Sequence, residues 1–374
     1  MTPSSSPSVV VVGAGVIGAA IAEALTRRGA RVTVLDMRST GRGASQASAG
    51  ILAPYIEAHD EGVLLELATR SLALYDGVIA RICEASGHDV PYARTGTIEV
   101  ALDEADSVRL QEHAQRLTAR GVTARWLDAA AVRAGYAHVT SSARGALLID
   151  AHGFVDPTAF VRALALAAKF GGAEFVSPVE AASVEPRADG VDIRAGDRTY
   201  HADAAVIAAG SWSRRVRVEG IAPLPVRPVR GQLLHLEWPG GPAGGPVIWG
   251  PRCYVVPRAD GSTLAGATVE EAGFDERSTA AGVLELLSAT LELLPAARDA
   301  SVAEVRVGLR PALPDGLPAI GPFRGADRVV AATGHYRNGI LLAPVTAEIV
   351  ADYLISGRQD AVFPAVSPDR FQLA

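Results

Sequence analysis

The chain has 374 residues, is 49% apolar and 20% charged, and carries a formal net charge of −6. Its length is enough for about two domains with sizeable cores, and its acidic balance argues against a nucleic-acid surface, which needs a basic face. Cys83 and Cys253 are the only cysteines, and their spacing fits neither a disulfide framework nor a metal site.

The polar N-terminus lacks a basic n-region, and the four valines after it are too few for a signal peptide. No apolar run approaches the ~18–20 residues of a membrane span. A cytoplasmic protein without a membrane partner is the expectation. Lys169 is the single lysine among 35 basic residues, so a lone arginine carries little functional weight.

Val9–Val12 is a continuous β-branched run, as in a strand buried on both faces of a parallel sheet. Gly13-x-Gly15-x-x-Gly18 follows at once. Ile17, Ile21 and Leu25 then recur at helical spacing, Gly29 ends the helix, and Arg31–Leu35 reads as a second strand closed by Asp36. Each glycine has a physical task in such a βαβ unit. Gly13 permits the tight turn, Gly15 lets a pyrophosphate reach the backbone, and Gly18 with Ala22 lets the helix pack close to the sheet. The helix N-terminus offers free N–H groups and partial positive charge to the phosphates. Asp36 stands where a carboxylate bonds ribose hydroxyls, and an acid there disfavours NADP.

Residues 41–58, GRGASQASAGILAPYIEA, do not continue the strand–helix repeat of an NAD enzyme. Small residues let backbone lie against a flat ligand, and Ser45 and Ser48 add hydrogen-bonding groups. Beyond them the pattern predicts a helix over 62–84, a strand over 94–102, and helices over 103–118 and 158–170, the last with Pro157 in its first turn. A short strand centred on Val179 is expected next. A β-meander then returns to a buried strand at 204–208, which ends at Gly210, a glycine that lets the strand end approach a cofactor. From 226 to 309 strands dominate, with a hairpin turn at Asp260-Gly261 and a helix over 279–294. The buried strand 328–333 precedes GHYRNGILLAP, residues 334–344. There Pro344 reads as the first turn of a helix running to about Leu354, and Gly334 and Gly339 as points of close backbone approach.

The opening βαβ unit, ASQASAGILAP, GLRPALPDGLPAIG at 308–321, GHYRNGILLAP and the terminal PDRF together resemble the FAD-dependent D-amino-acid oxidase family, nearest to the glycine oxidases of the thiamine-biosynthesis type. The resemblance implies an α/β protein, with a Rossmann-like FAD-binding domain and a second α+β substrate domain built on an antiparallel sheet. The FAD domain would comprise 1–58, 151–217 and 310–374, and the substrate domain 59–150 and 218–309. FAD, held noncovalently, would contact Gly13, Gly15, Val16, Ile17, Gly18, Asp36, Met37, Ala44, Ser45, Ala49, Gly50, Ile51, Val179 (through its backbone, at the adenine) and Gly210. His335, Tyr336, Arg337, Asn338, Gly339, Ile340 and Leu341 would wrap the flavin.

For substrate, the resemblance points to Arg310 gripping a carboxylate with its planar fork, to Tyr254 donating its hydroxyl, and to Arg337. On residue type alone, Arg310 also reads as a surface ion-pair residue, Tyr254 as an ordinary strand aromatic, and Arg337 as a seal. The chemistry implied is oxidation of glycine or another small amino acid such as sarcosine or D-alanine. An imine forms and hydrolyses to an oxo acid and ammonia, and oxygen is reduced to hydrogen peroxide. Such chemistry needs positioning more than a protein base, so His335 is expected to act through contact, and His59, His88 and His152 as surface or structural residues. Ile51 and Arg252 depart from the family pattern, where methionine and histidine occur. The resemblance also implies a homo-oligomer. A dehydrogenase of the same family, passing electrons to another acceptor, reads equally well from these residues.

Overall fold

The structure is a computed structural model that describes residues 6–57 and 61–372. Ser8–Val12 lies near the middle of a six-stranded sheet, between Arg31–Leu35 and Ala204–Ile207. Both pairings are parallel, as are those of Ala204–Ile207 with Ala326–Thr333 and of Arg31–Leu35 with Glu174–Val176; Ala319–Phe323 adds an antiparallel edge. Because side chains alternate along a strand, the valine run serves two cores. Val9 and Val11 pack with Ile21, Leu25, Leu164 and Ile349 of the helical layer. Val10 and Val12 pack with Val184, Val191 and Ile193 of a β-meander on the opposite face.

The helical layer comprises Val16–Arg27, Val63–Ser86, Pro157–Phe170 and Gly339–Ser356. Asp156 caps Pro157–Phe170 by accepting from Ala159 N–H at 2.7 Å, which sets Pro157 at the first position as expected. Among the described residues, Gly339–Ser356 with its entry turn is the one helical segment long and apolar enough to cross a bilayer, and most of it is buried. It packs against both Val16–Arg27 and Val63–Ser86.

Two sequence expectations fail here. The last helix starts at Gly339, so Pro344 lies inside it instead of in its first turn. A proline there cannot donate to the Ile340 carbonyl. Tyr75, fully buried on the neighbouring helix, donates its hydroxyl to that carbonyl at 2.5 Å. One turn earlier on the same helix, Ser71 Oγ accepts from Val345 N–H at 3.2 Å. Tertiary contacts thus supply what the proline removes. The second failure is Val179, which lies in the turn between strands Glu174–Val176 and Ala181–Pro186. Its N–H donates to the Asp36 carbonyl at 2.8 Å, so the turn is tied to the end of the second strand.

The second large sheet has eight strands in the order Ser301–Ala312, Arg227–Glu237, Ser262–Gly266, Tyr254–Pro257, Val247–Trp249, Thr97–Ala101, Gly145–Ile149 and Ala124–Asp128. It is antiparallel apart from one parallel pair, Val247–Trp249 with Thr97–Ala101. The Asp260-Gly261 turn forms the expected hairpin, with Gly261 at φ +84°. Helix Ala280–Leu293, capped by Thr279, covers one face through Leu286, Ala289 and Leu293.

Candidate active site

Strand ends and loops from both large sheets line one cavity of about 500 Å³. At one end its wall is mostly backbone. Gly13 has φ +109°, and a Cβ there would sit 2.3 Å from the Ala208 carbonyl oxygen, so only glycine makes this turn. Gly15 differs. The nearest atom to an added Cβ is Ser45 Oγ at 3.5 Å, and the space beyond it is the cavity. The first turn of the helix beginning at Val16 carries no acidic side chain to occupy its positive end. Ser45 Oγ accepts from Val16 N–H at 3.0 Å and fixes the small-residue segment against that helix start.

Asp36 accepts from Ala14 N–H at 2.6 Å on one oxygen and from Arg38 N–H at 2.7 Å on the other. It therefore pins the glycine turn, and each oxygen keeps a lone pair for a ribose hydroxyl. Burial pushes its carboxyl pKa above the ordinary value, opposed by these two bonds. Met37, Ala44, Ala49, Gly50, Ile51, Val179 and Gly210 line the same cavity. Thus a phosphate-accessible helix start, a ribose-competent carboxylate and a run of small residues share one wall, and they fit FAD.

The segment 335–340, a tight turn running into the start of the last helix, closes this wall. His335, Tyr336, Arg337, Asn338, Gly339 and Ile340 all line the cavity. Tyr336, at φ +49°, is the only non-glycine residue with positive φ among those described, a strained geometry of the kind that concentrates at functional sites. His335 is buried, with Nε2 3.0 Å from Thr346 Oγ1. Burial pushes its pKa down to about 3, so the ring is neutral and engaged, which suits contact rather than base chemistry. His152 is also fully buried, stacked on Tyr55 and within 2.8 Å of Thr97 Oγ1, with its pKa lowered to about 3 by burial. His88 is half-buried, and His59 lies outside the described residues.

At the other end the wall is made of side chains. Arg310 faces the cavity, with its guanidinium over Gly231; an added Cβ at Gly231 would lie 2.2 Å from Arg310 Nη2. Its Nη1 donates to the Thr268 carbonyl at 2.9 Å and to the Arg230 carbonyl at 3.4 Å. Among the described residues no carboxylate pairs with it. Tyr254 lies beside Trp249, ring centroids 5.2 Å apart, and its hydroxyl meets no protein partner among those residues. Burial, the largest cause, raises the Tyr254 pKa, while the nearby Arg310 and Arg337 lower it, so the phenol stays protonated as a donor. Arg337 is paired through Nε to Glu57 Oε2 and through Nη2 to Glu57 Oε1, both at 3.1 Å.

Two expected cofactor residues do not line the cavity. Gly18 packs the helix onto the turn, where an added Cβ would lie 1.8 Å from the Gly13 carbonyl oxygen. Leu341 points into the helical core. Gly334 is likewise a turn residue, at φ +77° with its Cα against Leu313, while Gly339 does line the cavity. Sequence reasoning missed Glu57, which no motif marks. It also missed Arg38, which pairs with Glu276 in two bonds of 2.9 and 2.7 Å and stacks over Trp212. Arg252 lines the cavity but is exposed and paired with Glu292.

Comparison with known proteins places the chain in a family. The family described as FAD dependent oxidoreductase (DAO) matches residues 8–353. The crystal structure of glycine oxidase from Geobacillus kaustophilus superposes with a TM-score of 0.92 at 32% identity, covering 98% of this chain and 99% of that one. That of iminodiacetate oxidase from Chelativorans superposes with a TM-score of 0.86 at 27% identity, covering 96% and 98%. The bifunctional protein ThiO/ThiG of Trichormus variabilis is 33% identical over 370 residues, which is 97% of this chain but only 55% of that protein. The chain thus spans about half the length of the bifunctional relatives it matches. It belongs to the FAD-dependent oxidoreductase family of D-amino-acid oxidase type, and its cofactor is FAD.

Proposed function

We propose that the protein is an amino-acid oxidase for glycine or a similarly small amino acid, with oxygen as electron acceptor, hydrogen peroxide as product and a role in thiamine biosynthesis. The observation that carries this reading is Arg310. Of the other cavity-lining arginines, Arg38, Arg252 and Arg337 each have a carboxylate partner, and Arg215 stacks over Phe274. Among the described residues Arg310 has only two backbone carbonyls as partners, both on Nη1. Its Nε and Nη2 remain, and that edge of the guanidinium matches the two oxygens of a carboxylate. The free Tyr254 hydroxyl is a second donor.

Bound FAD would supply the acceptor for a hydride from the substrate α-carbon. The chain's own task is to hold that carbon. Arg310 and Tyr254 fix the carboxylate, so that bound substrate presents that carbon in one orientation. No side chain is needed to remove a proton from carbon, in keeping with the neutral, engaged His335. Trp249 and Tyr254, in ring contact, both line the cavity, and their bulk beside a carboxylate held by Arg310 would favour a short side chain. The Cys253 thiol is buried, with its pKa pushed up to about 12, and is therefore a poor nucleophile toward a flavin, which suits noncovalent FAD. A dicarboxylate such as iminodiacetate would need a second unpaired cation, and the Arg337 charge is already met by Glu57.

The test is peroxide release from glycine, sarcosine, D-alanine and iminodiacetate, run with an oxygen electrode on wild type and Arg310→Ala. Arg310→Ala should stay yellow and raise KM by about 10- to 100-fold, since a charge-assisted bond contributes roughly 1.5–3 kcal/mol. An unchanged KM removes Arg310 from the site. Reduction of the flavin by substrate without oxygen uptake would make the protein a dehydrogenase instead.

A further inference from the structure

Arg310 is held through main-chain carbonyls, and those carbonyls belong to a buried polar hub on the far side of the strand Arg227–Glu237. Side chains alternate along that strand. Val229 and Gly231 share the cavity face with Arg310, since Val229 pairs with Arg310 in register. Arg230 and Gln232 project the other way. There Glu270 Oε1 accepts from Thr268 Oγ1 at 2.6 Å and from Gln232 Nε2 at 2.8 Å, and Glu270 Oε2 accepts from Arg230 Nη2 at 2.6 Å. Thr268 Oγ1 accepts the Gln232 backbone N–H at 2.9 Å. Gln232 completes its amide with Thr279, donating to Oγ1 and accepting from N–H, each at 2.9 Å. Gln232, Thr268 and Arg230 are all buried. A Cβ at Gly282 would lie 2.1 Å from Gln232 Nε2, so the helix Ala280–Leu293 presses glycine against the hub.

The Thr268 backbone is thus gripped on both sides, by its own hydroxyl and by its N–H, which donates to the Gln232 carbonyl at 3.2 Å. Its carbonyl is the nearest partner of the Arg310 guanidinium. We propose that Thr268, Gln232 and Glu270 are positioning residues for the reaction: they fix the Thr268 carbonyl, and through it the plane and free edge of Arg310, so that carboxylate affinity is set by side chains that never touch substrate. This rests on the reading of Arg310 as the carboxylate site. The physical reason is that a guanidinium on a flexible stem binds a carboxylate well only when its plane is fixed beforehand, and side-chain networks around a site do that fixing.

Thr268→Val keeps the shape and deletes the hydroxyl; Thr268→Ser keeps the hydroxyl. Gln232→Met deletes the amide at similar volume. Each holoenzyme is titrated with acetate, a carboxylate that cannot react, by the change in flavin absorbance, with KM and kcat for glycine measured alongside and FAD content from the spectrum. Thr268→Val and Gln232→Met are expected to weaken acetate binding and raise KM by about tenfold, with kcat within about twofold and FAD retained, because the lost order is in ground-state positioning. Thr268→Ser is expected to recover most of the affinity. Wild-type acetate affinity in Thr268→Val and Gln232→Met overturns the proposal. So does loss of FAD or of folding together with affinity, since the hub then serves the fold as a whole. Arg310→Ala is the separate control. If it leaves acetate binding unchanged, the carboxylate reading fails, whatever the hub variants do.

Discussion

The two ends of the cavity are built from different material. The cofactor end is mostly backbone, drawn chiefly from three short runs, 13–17, 44–51 and 335–340, with the Asp36 carboxylate beside them. The proposed substrate end is made of side chains, among them Glu57, Trp249, Tyr254, Arg310 and Arg337, whose proximity depends on strand register and loop packing far apart in sequence. A backbone wall tolerates exchange of most side chains but no added Cβ where the ligand approaches. A side-chain wall can be retuned one residue at a time.

The largest effect expected from breaking this division is at Gly15. Gly15→Val puts branched carbons into the space over the helix start, where among the described residues Ser45 Oγ, 3.5 Å from an added Cβ, is the nearest atom beyond the chain neighbours. Backbone dihedrals at this position, φ −71° and ψ −175°, are open to any residue, so the fold should survive. The protein should purify colourless and fail to take up added FAD, with an unfolding profile close to that of the apoprotein. A yellow Gly15→Val would refute the backbone reading of this wall.

A smaller effect is expected behind the loop that closes the cofactor end. Tyr75→Phe leaves the Ile340 carbonyl buried without a donor, which costs about 1–3 kcal/mol. Pro344→Ala supplies an N–H at the right place in the helix. The double variant should therefore recover most of the loss in denaturant unfolding, although neither substitution touches the other's side chain. If Pro344→Ala rescues nothing, the hydroxyl is not standing in for the missing helix bond.

What could be read from sequence follows the same division. The glycine turn, the first helix and Asp36 are local, so spacing alone placed them. The start of the last helix was misread because a rule about proline in the first turn describes a helix by itself. Here a tyrosine 265 residues away removes the penalty that would have ended the helix. Val179 was misread because the apolar spacing of Phe175, Val176, Val179 and Val184 suggests one strand, whereas the residue sits in the turn tied to Asp36. Glu57 was invisible for a third reason. Its role is to neutralise Arg337, and nothing in the string links residue 57 to residue 337.

The pH response of the cofactor end follows from His335. Its folded pKa, about 3, lies below the ordinary 6.5. Between those values the unfolded chain binds a proton that the folded one excludes. Its contribution to stability is therefore complete above pH 6.5 and lost as pH falls toward 3, at about 1.4 kcal/mol per pH unit. His152 acts in the same sense. His335→Asn should flatten the fall of Tm below pH 6.5 without abolishing it. A slope unchanged by that substitution would mean that the imidazole charges without unfolding.

The smallest effect is expected at the substrate end, and it is the most informative about specificity. The Glu57–Arg337 pair is bidentate, but Arg337 is 38% exposed, and ion pairs in such settings contribute little to stability, about 0–1 kcal/mol. Glu57→Gln should leave folding and FAD content unaltered. It removes one negative charge and frees the Arg337 cation to face the cavity beside Arg310. KM for glycine should then change by no more than about fivefold, because a surface-accessible charge is screened. KM for iminodiacetate should fall relative to glycine, since a second carboxylate now has a cation to meet. If the ratio of the two does not move, Arg337 is a seal and the selection for one carboxylate lies with Arg310 and the aromatic wall alone.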